Sequence, residues 1–250
     1  MPPLFCKTMP SSTRVIIAVD PGAEGAIAIT RGQRTLVYDL PMTKDTFLES
    51  QRQCLDTVAF HSLLCEAFKS LSNPERPKES LQVVYASEQM QGFGFRTPAK
   101  VLMGLAEMSA TIETIIRMFC LYEDHALYIR KYKPKTWINW MFPDAEKRGG
   151  RESEAKKESI EKAKEIFPHM ANFLARQKDH NRAEALLLTF VTIAELSRVT
   201  IDPAVKSLTA LQKLYHKQRG EKSSTPFTAI YGSWLELHKS VKDHIKKYLT

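Results

Sequence analysis

Two apolar runs separated by a very short link constrain this chain more than anything else in it. Val15–Val19 (VIIAV) and Gly25–Thr30 (GAIAIT) are joined by Asp20-Pro21-Gly22-Ala23-Glu24. That link is too short for a crossover, so the two strands must lie antiparallel. A third run, Thr35–Leu40, follows Gly32 and extends the hairpin into a meander. Asp20 stands where the first strand ends. Asp-Pro-Gly is good turn chemistry in itself, but a carboxylate at the end of a rigid strand is also well placed for chemistry.

Beyond the meander, Cys54–Leu71 has apolar positions at helical spacing, and NPERPKES (Asn73–Ser80) reads as a loop. LQVVYASE is a further strand, and it too ends on an acid, Glu88. In RTPAKVLMGLAEMSATIETIIRMF, Thr97 is placed to cap a helix with Pro98 at its first position. Leu105, Met108, Ile112, Ile115, Ile116 and Phe119 form one stripe on that helix, suited to the core or to a subunit interface. ALYIR (Ala126–Arg130) is a short strand, followed by a basic, Trp-containing loop, KYKPKTWINWMFPDAEKRGGRES. A charged helix, about Glu154–Phe167, and a last core helix, about Arg182–Leu196, complete the pattern. The order βββαβαβαα predicts an α/β fold whose sheet begins as an antiparallel meander and continues with parallel strands, flanked by helices. In that topology Asp20 and Glu88 can be neighbours.

The 250 residues carry a net charge of +8, which suits a polyanionic partner. The excess is concentrated: residues 130–182 are net +6, and so are residues 203–250. Solvated helix faces account for part of it. Four cysteines without a C-x-x-C pair support neither a zinc site nor a disulfide framework. The longest apolar runs are too short to cross a bilayer, so no membrane partner is expected. The first fourteen residues hold no acid, as in a flexible tail or the remnant of an organelle transit peptide.

QKDHNRAEALLLTF supplies two more acids, Asp179 and Glu184. Five positions on a continuous helix would set them about 140° apart. They converge only if the helix starts after Asp179. Asn181-x-x-Glu184 is a capping-box pattern, so Glu184 has a purely structural reading as well. Each acid alone is explained by a turn, a strand end or a cap. Together, four acids at the ends of three elements suit two Mg²⁺ ions held against a phosphodiester. Magnesium takes hard oxygen ligands, and two ions about 4 Å apart can activate water and stabilise a departing 3′ oxygen.

With these residues in order, the chain resembles the RuvC-like Holliday junction resolvases of the ribonuclease H-like superfamily over residues 14–198. AVDPGAEGAIAI resembles the family's first strand, turn and second strand. YASEQMQGFGF resembles its second acidic strand end, and KDHNRAEALLL is most similar to the plant chloroplast form. The resemblance implies that Asp20, Glu88, Asp179 and Glu184 are the metal-binding catalytic acids. Bacterial members space their last two acids three apart, a departure that falls on Asp179. It further implies that the GFGFR loop contacts the junction near its crossover, where Phe93 and Phe95 could stack on bases or, alternatively, fill the core. A chloroplast location rests on the resemblance and the acid-free leader.

Lys133, Lys135, Lys156 and Lys157 are candidates for phosphate contacts, and such contacts position a duplex without reading sequence. His180 is a candidate for assisting metal or water, or for a hydrogen bond within its loop. Trp137 and Trp140 read as packing residues. The expectation is a flexible leader over residues 1–13, a nuclease domain over 14–198 and a basic helical extension over 199–250. Its activity is Mg²⁺-dependent nicking of four-way junctions by a two-fold homodimer, with Mn²⁺ able to substitute. The rivals are a nuclease on RNA–DNA hybrids or flaps, a non-catalytic junction-binding protein, and an ATPase built on a phosphate-cradling hairpin. That last fold pairs two such units, and only one is present.

Overall fold

The computed structural model describes residues 13–22, 24–44, 53–72, 80–89, 98–142 and 152–201. Strands β1 (Arg14–Asp20), β2 (Ala26–Arg31) and β3 (Arg34–Asp39) form the expected meander. Gly32 closes the β2–β3 turn with φ 58°, a conformation glycine adopts at no steric cost. Two short strands, β4 (Met42–Lys44) and β5 (Gln53–Leu55), pair with each other apart from the main sheet. β6 (Gln82–Glu88) and β7 (Ala126–Tyr132) complete a five-stranded sheet of order β3-β2-β1-β6-β7. β1 is antiparallel to β2 and parallel to β6, and β6 is parallel to β7. The result is the expected α/β fold, an antiparallel meander continued by parallel strands and flanked by helices.

Each face of the sheet has its own core, because side chains alternate along a strand. Val15, Ile17, Val19, Ile27, Ile29, Val83 and Tyr85 face helices α1 (Thr57–Leu71) and α2 (Ala99–Tyr122). Ala18, Ala26, Ala28 and Ala86 point the other way. There they meet α3 (Pro134–Met141), α4 (Glu152–Ile166) and α5 (His180–Ile201), with the 3₁₀ turns at Pro168–Leu174 and Gln177–Asp179. Small side chains on this face let the α5 run Ala185–Leu188, fully buried, come close to the strands.

Several sequence expectations shift. The helix expected over Cys54–Leu71 begins at Thr57, because Asp56 caps it by accepting a hydrogen bond from the Ala59 N–H at 2.9 Å. Cys54 instead belongs to β5. Pro98 stands at the N-cap of α2, its carbonyl accepting from the Val101 N–H at 2.9 Å, so Ala99 opens the helix. Thr97, expected as the cap, lies outside the described residues. The segment expected as a basic loop contains α3, which Pro134 initiates and in which Trp137 and Met141, one turn apart, are buried. The stripe on α2 is core: Ile112, Ile116 and Phe119 are buried, and Met108 and Ile115 pack beside them. The 3₁₀ turns and the two-stranded sheet carried no clear signal. Phe93, Phe95 and the extension beyond residue 201 lie outside the described residues.

Gly25 is needed for a steric reason. A Cβ there would stand 2.4 Å from the Asp20 carbonyl oxygen and 2.7 Å from the Gly22 nitrogen, both backbone atoms that cannot swing aside. At Gly22 the nearest atom is 3.9 Å away. Gly25→Ala is therefore expected to cost about 1–3 kcal/mol in urea denaturation, and Gly22→Ala to stay within about 0.5 kcal/mol. Equal midpoints for the two variants would refute this account of the turn.

Candidate active site

Asp20 and Glu88 close adjacent parallel strands. The last registered pair is Val19 with Ser87, so the two acids are the next residues along. Alternation puts both on the face of Ala18 and Ala86, toward α5. Strand spacing is about 4.8 Å, which makes the two carboxylates neighbours.

α5 brings the third acid. It begins at His180, two residues before the expected start near Arg182, and directly continues the 3₁₀ turn that holds Asp179, so Asp179 does not stand in a loop as convergence of the two acids would need. Its first turn is tied to the sheet at two points. The Asn181 Nδ2 donates to the carbonyl of Glu24 in the β1–β2 turn. The Arg182 guanidinium donates to both oxygens of Asp39 at the end of β3, each at 2.6 Å. Asn181 is thus occupied with the turn beside Asp20, and the groups that favour the ionised form of Glu184, Lys156 and Ser159, lie on α4.

The electrostatics show that three acids share one region. Asp20 is only partly buried by exposure yet lies deep among protein atoms. Its carboxyl is held well above the ordinary range, first by desolvation and then by the charges of Glu184 and Glu88. Glu184 is pushed up to about 7, by burial first and by Glu88 second, against the opposing pull of Lys156 and Ser159. Burial also raises Glu88, which the Trp137 indole partly offsets by donating to Glu88 Oε1 at 2.7 Å.

Asp179 is placed differently. It is 3% exposed, and although burial alone would raise its carboxyl, hydrogen bonds from Arg176 hold it below the ordinary range. Oδ2 accepts from the Arg176 backbone N–H at 2.8 Å, and Oδ1 accepts from the guanidinium at 2.7 Å. Arg182 adds a longer contact at 3.9 Å. Asp20, Glu88 and Glu184 repel one another; Asp179 is neutralised.

The donor set of the three facing acids fits a hard divalent cation: all oxygen, all negative, with repulsion that a cation would relieve. Among the described residues, no three His, Cys, Asp or Glu side chains are already gathered tightly enough to hold an ion.

Of the other sequence candidates, Lys133, Lys135 and Lys157 are exposed and Lys156 is half-buried. The His180 Nδ1 lies 3.3 Å from the carbonyl of Gln177, the hydrogen-bonding placement within its own segment. Sequence reasoning missed the Trp137 contact and the Asn181 and Arg182 ties. For Trp137 the available signal was the i, i+4 pairing with Met141 behind Pro134, which marks a short helix with one buried face.

No family model matches the chain. No curated protein matches it either. Among solved structures, "T. thermophilus RuvC in complex with Holliday junction substrate" is 13% identical, with TM-score 0.40, covering 73% of this chain and 96% of that one. "Thermus thermophilus RuvC structure" is 12% identical, with TM-score 0.33, covering 72% and 96%. Likeness this distant says nothing about substrate. No helix among the described residues is long and apolar enough to cross a membrane.

The raised acids set a pH dependence. Each binds its proton more tightly folded than unfolded, so the stability they contribute is fully present below their ordinary values. It is lost as pH climbs, for Glu184 through about 7. The metal-free chain should therefore have a lower urea midpoint at pH 8 than at pH 5.5, Mg²⁺ should recover more at pH 8, and Glu184→Gln should flatten the difference. A wild-type profile matching that of Glu184→Gln would contradict the burial of this acid beside its neighbours.

Proposed function

We propose that this chain is a structure-selective DNA endonuclease that resolves four-way junctions by paired nicks, leaving 5′ phosphates and 3′ hydroxyls. The observation that carries the reading is the grouping of Asp20, Glu88 and Glu184, three mutually repelling acids at the end of the parallel pair β1–β6. Carboxylates gathered without a compensating arginine are costly for stability alone, and a cation-dependent reaction on a polyanion gives that cost a use.

When bound, two Mg²⁺ ions, or Mn²⁺ in their place, supply a polarised water and charge to stabilise the departing 3′ oxygen. In this reading Asp20 offers its carboxylate from the end of β1, a strand paired on both sides. Glu88 offers its own from beside the Trp137 indole N–H, and Glu184 from the first turns of α5. Asp179 is the fourth acid of the proposed set. To act as a ligand it must exchange Arg176 for a cation, a trade not asked of the other three.

Lys133 and Lys135, at the start of α3, and Lys156 and Lys157, on α4, are proposed to contact phosphates of the duplex arms. Phe93 and Phe95 are proposed to stack on bases opened at the crossover, each worth about 1–3 kcal/mol. His180 is proposed to stand near the DNA, its ring held by its own turn. Resolution needs nicks on two opposed strands, which a two-fold homodimer supplies by symmetry. Val101 and Met103 near the start of α2, and Leu121 and Tyr122 at its end, are exposed large apolar residues.

Glu88→Gln should bind a four-way junction as wild type does and lose Mg²⁺-dependent nicking. Full cleavage by that variant would remove the site. Cleavage of junction, RNA–DNA hybrid and flap at equal salt separates the nuclease readings. Binding indifferent to Mg²⁺ and to Asp20→Asn, with no cleavage of any substrate, would favour a junction-binding protein.

A further inference from the structure

Trp137 lies against a candidate ligand rather than merely filling the core. It is 2% exposed, and its indole N–H reaches Glu88 Oε1 at 2.7 Å. The chain path accounts for this contact. Tyr132 of β7 is in register with Glu88 of β6, and α3 starts two residues later at Pro134. The first turn of α3 therefore lies over the end of β6, while Met141, buried a turn further on, anchors the helix.

An indole has one donor and no acceptor, so this contact engages one oxygen of Glu88 and restricts the rotation of the carboxylate. The donor is also neutral. A guanidinium in its place, as Arg176 is to Asp179, would cancel the charge a cation needs. A neutral N–H orients the carboxylate and leaves the charge available. An ionised carboxylate has about four lone-pair sites, of which one N–H occupies one.

We propose that Trp137 is a positioning residue: its indole N–H holds Glu88 so that the remaining lone pairs face the divalent cation. The inference rests on Glu88 being a cation ligand and deepens that reading. Partners of this kind typically govern metal affinity by about tenfold or more. A packing role alone would weaken every variant equally, whatever residue stood at position 88.

The test is a double-mutant cycle on the full chain without DNA, with Ca²⁺ alone as probe, read as the ion-dependent rise in melting temperature. Trp137→Phe should raise the half-saturating Ca²⁺ concentration about tenfold with Glu88 in place, and by less than about twofold in the Glu88→Gln background. The same increase in both backgrounds, or none with Glu88 present, would overturn the positioning role and leave the ligand reading intact. An unchanged Ca²⁺ response in Glu88→Gln itself would overturn the ligand reading, and the inference with it. If Trp137→Phe does not fold, 3-benzothienylalanine at position 137 replaces the N–H by sulfur at nearly the same shape and is read by the same criteria.

Discussion

The parallel pairing of β1 with β6 is the constraint on which the rest of the site depends. It aligns Val19 with Ser87, so that the acid closing each strand falls beside its counterpart on one face. A slip of one residue would send Glu88 to the opposite face, among the side chains that pack α1 and α2. The register is pinned by the cores on both sides. Ile17, Val83 and Tyr85 are buried on one face, and Ala18 and Ala86 on the other.

Holding three like charges together is unfavourable, and the two cores supply the stability that offsets it. Each fully buried Ile, Leu or Phe contributes about 1.5–3 kcal/mol of transfer free energy. Ile17, Ile27, Ile29, Phe60, Leu64, Ile112, Ile116, Leu186, Leu187 and Leu188 are among the side chains removed from water. The division of labour between faces is also geometric. Bulky residues meet α1 and α2, whereas alanines meet α5 and let Glu184 approach the strand ends. Where α5 begins, arginines are spent on acids outside the trio: Arg182 on Asp39, and Arg176 on Asp179. Glu88 is held by a neutral donor, and the positive charge near Glu184 is Lys156 on α4. Charge is cancelled where it holds the scaffold and retained where a cation would use it.

Much of this was legible in the chain itself. Short apolar runs ending on Asp20 and Glu88 gave the strands and the position of each acid along them. The β–α–β spacing gave the parallel continuation of the meander. Asp179 was legible as an acid before a helix but not as the partner of Arg176. Asn181 illustrates the difficulty: its capping-box spacing to Glu184 is real, yet the side chain bonds Glu24, far away in sequence. Trp137 was legible only as a large apolar residue, because a hydrogen bond to a residue 49 positions away leaves no local trace.

The sequence by itself determined the order of elements, the alternation that assigns each side chain to a face, and the placing of acids at element ends, because these follow from local backbone geometry and burial of apolar surface. Only the tertiary structure decided which acids face one another and which is claimed by an arginine. Those outcomes depend on distances between segments remote along the chain, and electrostatics and hydrogen bonding act over such distances whatever the spacing in sequence.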